Sequence, residues 1–96
     1  MKTSKEIENK LRQLKPILTE RFFVDKIGYF GSYSTEEQNE LSDLDIFVEF
    51  KKPVGWNFFT MILFLEEQFG LKIDLVTRNA LKEQIKEQIL SQVRFV

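Results

Sequence analysis

The chain has 96 residues, 15 acidic and 14 basic, for a formal net charge of −1. It contains no cysteine and no histidine. That excludes a disulfide framework, a thiolate or imidazole metal site, a thiol nucleophile and a histidine-based triad. Any metal chemistry falls to oxygen ligands and so to hard ions such as magnesium, and the near-neutral balance argues against a protein that coats nucleic acid.

The length suits one domain spanning 1–96. The start, MKTSKEIENK, has no apolar stretch of a secretory signal. The longest nearly apolar run, Phe58 to Leu65, falls far short of the roughly 20 residues that span a bilayer. A soluble protein of the cytosol, without membrane contact, is expected.

In chain order, Ile7, Leu11, Leu14 and Leu18 follow helical spacing and predict an amphipathic helix from about Ser4 to about Glu20, capped by Thr3 or Ser4. Pro16 inside it is expected to bend the helix or end its regular part. Val24 to Phe30 reads as a first strand ending at Gly31, and the polar stretch from Ser32 to about Asn39 as a short helix or turn. Leu44 to Phe50 is the clearest strand. Leu44, Ile46, Val48 and Phe50 point to one side of it, and Asp43, Asp45, Phe47 and Glu49 to the other.

Lys51-Lys52-Pro53 closes that strand. A helix from about Gly55 to Gln68 follows, with Gly70 suited to its C-terminal cap. Leu71 to Val76 reads as a third strand, and about Asn79 to Val93 as a last helix with Leu81, Ile85 and Ile89 on one stripe. The order α-β-α-β-α-β-α predicts a small α/β (α+β) fold with a mixed three-stranded sheet packed with helices.

Chemistry concentrates at three places. Gly31 and Ser32 follow the first strand, Asp43 and Asp45 open the second, and Asp74 lies within the third. Residues at i and i+2 of a strand share a face, so Asp43 and Asp45 present paired carboxylates. Asp74 joins them if its strand is the neighbour. Crowded carboxylates need cations to stay ionised, and two divalent ions about 3.5–4 Å apart would supply them and clamp a phosphoryl transfer. Gly31 lets a phosphate approach the backbone, and Ser32 with the following N–H groups can hold its oxygens. Each feature alone is ordinary, a turn dipeptide or a solvated strand end; the combination is what points to a phosphate cradle facing a metal-carboxylate cluster.

The stretch GSYSTEEQNELSDLD has the GSx10DxD pattern of the superfamily that includes DNA polymerase β and kanamycin nucleotidyltransferase. With its flanks KIGYFGSYS, SDLDIFVEFKKPVGW and LKIDLVTRNALKEQI, the chain resembles the minimal, MntA-type nucleotidyltransferases over essentially its whole length. The resemblance implies the nucleotidyltransferase fold and an antitoxin that moves AMP from ATP to a hydroxyl, a tyrosine, of a partner HEPN-domain toxin. It implies Mg2+, as two ions, as the cofactor. Carried over by position, Gly31 and Ser32 would hold the triphosphate. Asp43 and Asp45 would bind metal, and Asp74 would complete the metal site and help activate the attacking hydroxyl. The chain departs from the common GS-x-A-R-G pattern: Ser34, Thr35 and Glu36 stand at its last three positions, so the Arg is replaced by Thr35. Glu36, Glu37 and Glu40 make this loop acidic, which is unhelpful beside a triphosphate; Lys51 and Lys52 compensate only if they reach the pocket. An antitoxin that acts by binding alone is therefore the alternative. Transfer to a small molecule is a third reading, against which the small size argues.

On the third helix, Phe58, Ile62, Leu65 and Phe69 form a core stripe, and Trp56, Phe59 and Leu63 a second one further round. The second is either a wide core face or a surface for a partner or for self-association. A homo-oligomer and a hetero-oligomer with the toxin both stay open. Tyr29 reads as core and Tyr33 as an ordinary surface aromatic or a neighbour of the nucleotide base.

Overall fold

The computed structural model describes residues 2–96. Helix α1 runs Ser4–Phe22. Thr3 is its N-cap: the Glu6 amide donates to Thr3 Oγ1 at 3.1 Å, and the Glu6 carboxylate accepts from the Thr3 amide at 3.3 Å, a reciprocal capping box. The helix continues through Pro16 rather than ending there. Pro16 and Arg12, whose carbonyl loses its amide partner, are both exposed, so water can satisfy that carbonyl. Meanwhile Leu14, Leu18 and Phe22 stay buried on the other side, and packing outweighs the local penalty.

Strands β1 (Val24–Phe30) and β2 (Leu44–Phe50) are antiparallel and have the predicted bounds. Between them lies the one-turn helix α2, Ser32–Thr35. Helix α3 (Asn57–Phe69) ends on Gly70, which is left-handed with φ 64°. It carries the chain to β3 (Ile73–Thr77), which lies parallel to β2. A 3-10 turn at Arg78–Ala80 and helix α4 (Glu83–Gln92) follow. The predicted last helix is thus shorter and split, and none of α4's residues is buried.

The sheet has four strands, in the order β3-β2-β1-β4, where three were expected. The added strand, β4 (Arg94–Phe95), runs antiparallel to the β1 edge, pairing Phe95 with Gly28 and Arg94 with Tyr29. Two residues are too few for alternation to betray them. The Val96 amide extends the pairing to the Ile27 carbonyl at 3.0 Å, and Lys15 Nζ of α1 donates to the Val96 carbonyl at 2.7 Å.

Helices α1 and α3 cover one face of the sheet. There Ile7, Leu11 and Leu18 meet Ile27, Leu44, Ile46, Val48, Met61 and Leu65, all fully buried. Tyr29 is in this core as expected. Tyr33 is too, which corrects the surface assignment: it is 1% exposed. The opposite face carries Asp45, Phe47 and Glu49 from β2. Phe47 is buried there, its ring meeting Phe95 edge-on at 5.9 Å. Gly28 makes this cover possible, since a Cβ on it would stand 2.7 Å from Val93 Cγ1 and 2.6 Å from the Arg94 carbonyl oxygen.

Candidate active site

The candidate residues meet where β1 ends and β2 and β3 begin. In the β2–β3 ladder Asp45 is directly opposite Asp74, and in the β1–β2 ladder it is opposite Phe30. The Leu44 amide donates to the Lys72 carbonyl at 2.9 Å, which ties the start of one strand to the approach of the other. Parallel neighbours in register place like side chains side by side on one face, so the sheet itself brings Asp45 and Asp74 together. Asp43 precedes β2 and is exposed.

Asp45 is half-buried, and its carboxyl is pushed up to about 6. Burial is the largest cause. The negative charges of Asp74 and then Asp43 add to it, as does a hydrogen bond with Asp74. The facing Phe30, only 8% exposed, is part of the apolar wall that removes water there.

Gly31 turns the chain out of β1 with φ 72° and ψ −146°. A side chain at 31 would collide with Asp45 Oδ2, the Asp45 Cγ being 3.3 Å from the position of such a Cβ. The Gly31 carbonyl accepts from the amides of Ser34 at 3.0 Å and Thr35 at 3.2 Å and from the Ser34 hydroxyl at 3.0 Å. The turn is thereby fixed with Ser32 at the start of α2. From below, the Ser4 hydroxyl of α1, buried with its residue at 6% exposure, donates to the Tyr33 carbonyl. Gln38 Nε2 donates to the Lys2 carbonyl at 3.4 Å. Ser4 is the site-supporting residue that the sequence does not signal, because its partner is 29 residues away.

Among the described residues, no three acidic side chains stand close enough together to form a metal cage by themselves. The set brought into contact is the pair Asp45 and Asp74, with Asp43 near enough to raise the Asp45 carboxyl. This donor set fits magnesium, which commonly takes only one or two carboxylates beside water and substrate phosphates, and the crowding of like charge is what a cation would relieve.

Lys51 and Lys52 do not reach this end. They line a cleft of about 560 Å³ with Asp25, Glu49, Arg78 and Asn79 beyond the other end of β2. That is about 20 Å along the strand from Asp45. The acidic Glu36, Glu37 and Glu40 are all exposed, so those lysines do not neutralise this loop. Trp56, Phe59 and Leu63 are exposed as well, which corrects the reading of a wide core face; they belong to α3, across the sheet from the carboxylates.

A turn at the end of one strand, facing carboxylates at the start of the next two, is the arrangement of a nucleotidyltransferase. Residues 6–96 match the family described as the nucleotidyltransferase domain, and the chain belongs to that family. It is 42% identical over 97 residues to the protein adenylyltransferase MntA of Thermococcus cleftensis, across 100% of this chain and 98% of the relative. A solved structure described provisionally as a minimal nucleotidyltransferase superposes with a TM-score of 0.83 at 24% identity, over 97% of this chain and 95% of that one. A toxin–antitoxin crystal structure with AMP-PNP gives a TM-score of 0.67 at 24% identity, over 96% of this chain and 70% of that one. At such identity these two structures speak for the fold. No helix among the described residues is long and apolar enough to cross a membrane.

Proposed function

We propose that this chain is the antitoxin of a toxin–antitoxin pair and that it transfers AMP from ATP to a tyrosine hydroxyl of a partner HEPN-domain toxin. The observation that carries the reading is the pairing of Asp45 with Asp74 beside the Gly31 turn. The name of the Thermococcus relative supports the reaction class, and the toxin–antitoxin structure with AMP-PNP supports the partner and the nucleotide.

In this reading Gly31 lets the Asp45 carboxylate stand against the turn, and Ser32 with the first amides of α2 holds the oxygens of the triphosphate. Asp43, Asp45 and Asp74 would hold Mg2+, which supplies charge neutralisation at the phosphates. The acceptor oxygen attacks the α-phosphorus in line, pyrophosphate leaves, and Asp74 takes the hydroxyl proton. With no histidine in the chain, a carboxylate is the natural base. No nucleophile of this chain is needed.

The test is incubation with ATP labelled on the α-phosphate, magnesium and the co-encoded partner, followed by intact mass of both chains. One or more AMP additions on the partner, absent with Asp43→Asn, are expected. A stable complex without AMP addition would favour an antitoxin that neutralises by binding alone. The acidic, exposed Glu36, Glu37 and Glu40 beside the turn, with Thr35 in place of Arg, are the observation that keeps this second reading.

A further inference from the structure

Strand β3 is an edge of the sheet, with β2 on one side and no strand on the other. Its ladder with β2 begins where the Leu44 amide donates to the Lys72 carbonyl at 2.9 Å, and Leu44 faces Ile73 in the parallel register. Residues that bond to the neighbour alternate along such a strand. Lys72 turns its carbonyl to β2, so Ile73 turns its backbone groups to the open edge. An edge presents groups of this kind without a strand partner. The Ile73 amide nevertheless has an acceptor: it donates to Glu66 Oε2 of α3 at 3.1 Å, in a part-buried bond.

Glu66 lies in the last turn of α3, where its own carbonyl accepts from the Gly70 amide at 2.8 Å. Only Gly70, Leu71 and Lys72 separate α3 from β3, and the left-handed Gly70 reverses the chain so that the Glu66 side chain meets the strand. A carboxylate in the last turn of a helix is opposed by the helix dipole, so α3 by itself has no use for an acid there. Among the described residues Glu66 forms no ion pair either. Its partner is the edge amide.

The residue after that amide is Asp74. The Ile73 side chain is buried in the core, 6% exposed, and the Asp74 side chain is exposed on the other face, opposite Asp45. The place of an exposed carboxylate is set by the backbone beneath it. On one side that backbone is held by the ladder to Leu44; on the other side it is held by Glu66. We propose that Glu66 is a positioning residue for Asp74: by tying the preceding amide to the end of α3 it keeps the start of β3 from fraying, and so keeps Asp74 against Asp45. The inference rests on the reading of these two carboxylates as the metal site. Glu66 itself touches neither nucleotide nor acceptor in this role.

Glu66→Ala removes the acceptor, whereas Glu66→Gln keeps an acceptor oxygen and removes only the charge. Alanine is a strong helix former, so the far-UV spectrum of both variants should match the wild type. In metal-free protein, hydrogen exchange followed by NMR should show the Ile73 amide exchanging about tenfold or more faster in Glu66→Ala, and close to the wild-type rate in Glu66→Gln. Mn2+, an ion that also prefers oxygen ligands, is the probe of the carboxylates: its affinity, measured by titration without nucleotide, should fall several-fold in Glu66→Ala and recover in Glu66→Gln. In AMP transfer to the co-encoded partner, Glu66→Ala should lower the maximal rate about tenfold and leave the half-saturating partner concentration unchanged. An Ile73 amide that exchanges alike in wild type and Glu66→Ala overturns the proposal. So does a freed amide with Mn2+ affinity and rate both unchanged, since the bond is then a structural tie alone, and so does a Glu66→Gln no better than Glu66→Ala. A wild type that transfers no AMP, while exchange and Mn2+ affinity respond as stated, counts against the proposed reaction and in favour of this role for Glu66.

Discussion

Gly31 and Asp45 occupy touching positions, the α-carbon of one against the carboxylate of the other, so that position 31 has no room for a methyl group. Two penalties would coincide in Gly31→Ala. The backbone sits at φ 72°, where a side chain is strained, and the new Cβ would push on a carboxylate already crowded by Asp74. The expected loss is about 1–3 kcal/mol of stability, read from urea midpoints. AMP transfer should fall more than the loss of folded protein explains, since the displaced group is Asp45.

The raised carboxyl of Asp45 makes stability depend on pH in a stated direction. Unfolded, the group titrates near the usual value of about 3.9; folded, it titrates at about 6. The folded state holds the proton more tightly, so the contribution is fully present below about pH 4 and is lost as pH rises through 6. Because Asp45 is half-exposed, the swing is about 1 kcal/mol, well below what the full shift would give. In metal-free buffer, Asp45→Asn should therefore be more stable than wild type at pH 7.5 by about that amount, and the difference should vanish below pH 4. Thermal melts across this range measure it. A variant less stable than wild type at pH 7.5 would contradict the burial and crowding described for this side chain.

Asp43 and Asp74 are exposed, so their asparagine variants should fold like the wild type and differ in chemistry. Asp74→Asn is expected to lower the rate of AMP transfer about 10²- to 10⁴-fold, the range of a lost general base. Asp43→Asn should give no transfer at ordinary magnesium concentrations and regain part of it only at much higher ones, and chelation with EDTA should abolish transfer by every variant. The rate is followed as label incorporated into the partner under single-turnover conditions. Full activity in EDTA would remove the metal from the mechanism.

The strands that carry the carboxylates were legible because each is bounded by residues with one physical meaning. Gly31 ends β1, Lys51-Lys52-Pro53 ends β2, and alternation from Leu44 to Phe50 marks the buried side. Which strands are neighbours is not written in alternation, so the meeting of Asp45 with Asp74 needed the sheet order. Pro16 misleads because local propensity knows nothing of Leu18 and Phe22, whose burial carries α1 onward. β4 is too short to show a period; its one trace is Gly28, a glycine inside a strand where Val93 and Arg94 approach. An α3 with two apolar stripes is compatible with a wide core face or with an exposed patch, and only the placement of the sheet on one side decides that Trp56, Phe59 and Leu63 face water.

Glu36 stands where the family's common pattern has glycine, and the backbone there still has the glycine conformation. Its φ is 61° and its ψ 32°, at the C-cap of α2, with the Glu36 amide donating back to the Ser32 carbonyl. A left-handed residue with a Cβ costs about 1–2 kcal/mol, partly offset by the chain entropy that glycine itself loses. Glu36→Gly should thus stabilise the fold by about 0.5–1 kcal/mol. The same change removes a negative charge from the loop beside the proposed phosphate cradle. The KM for ATP should fall with little change in kcat, because the charge opposes ground-state and transition-state binding alike. Glu36→Gln separates the two effects: it keeps the strained backbone and removes only the charge. It should reproduce the lower KM without the gain in stability. If Glu36→Gln leaves KM unchanged while Glu36→Gly lowers it, the backbone at the cap, and not the acidic loop, is what limits nucleotide binding.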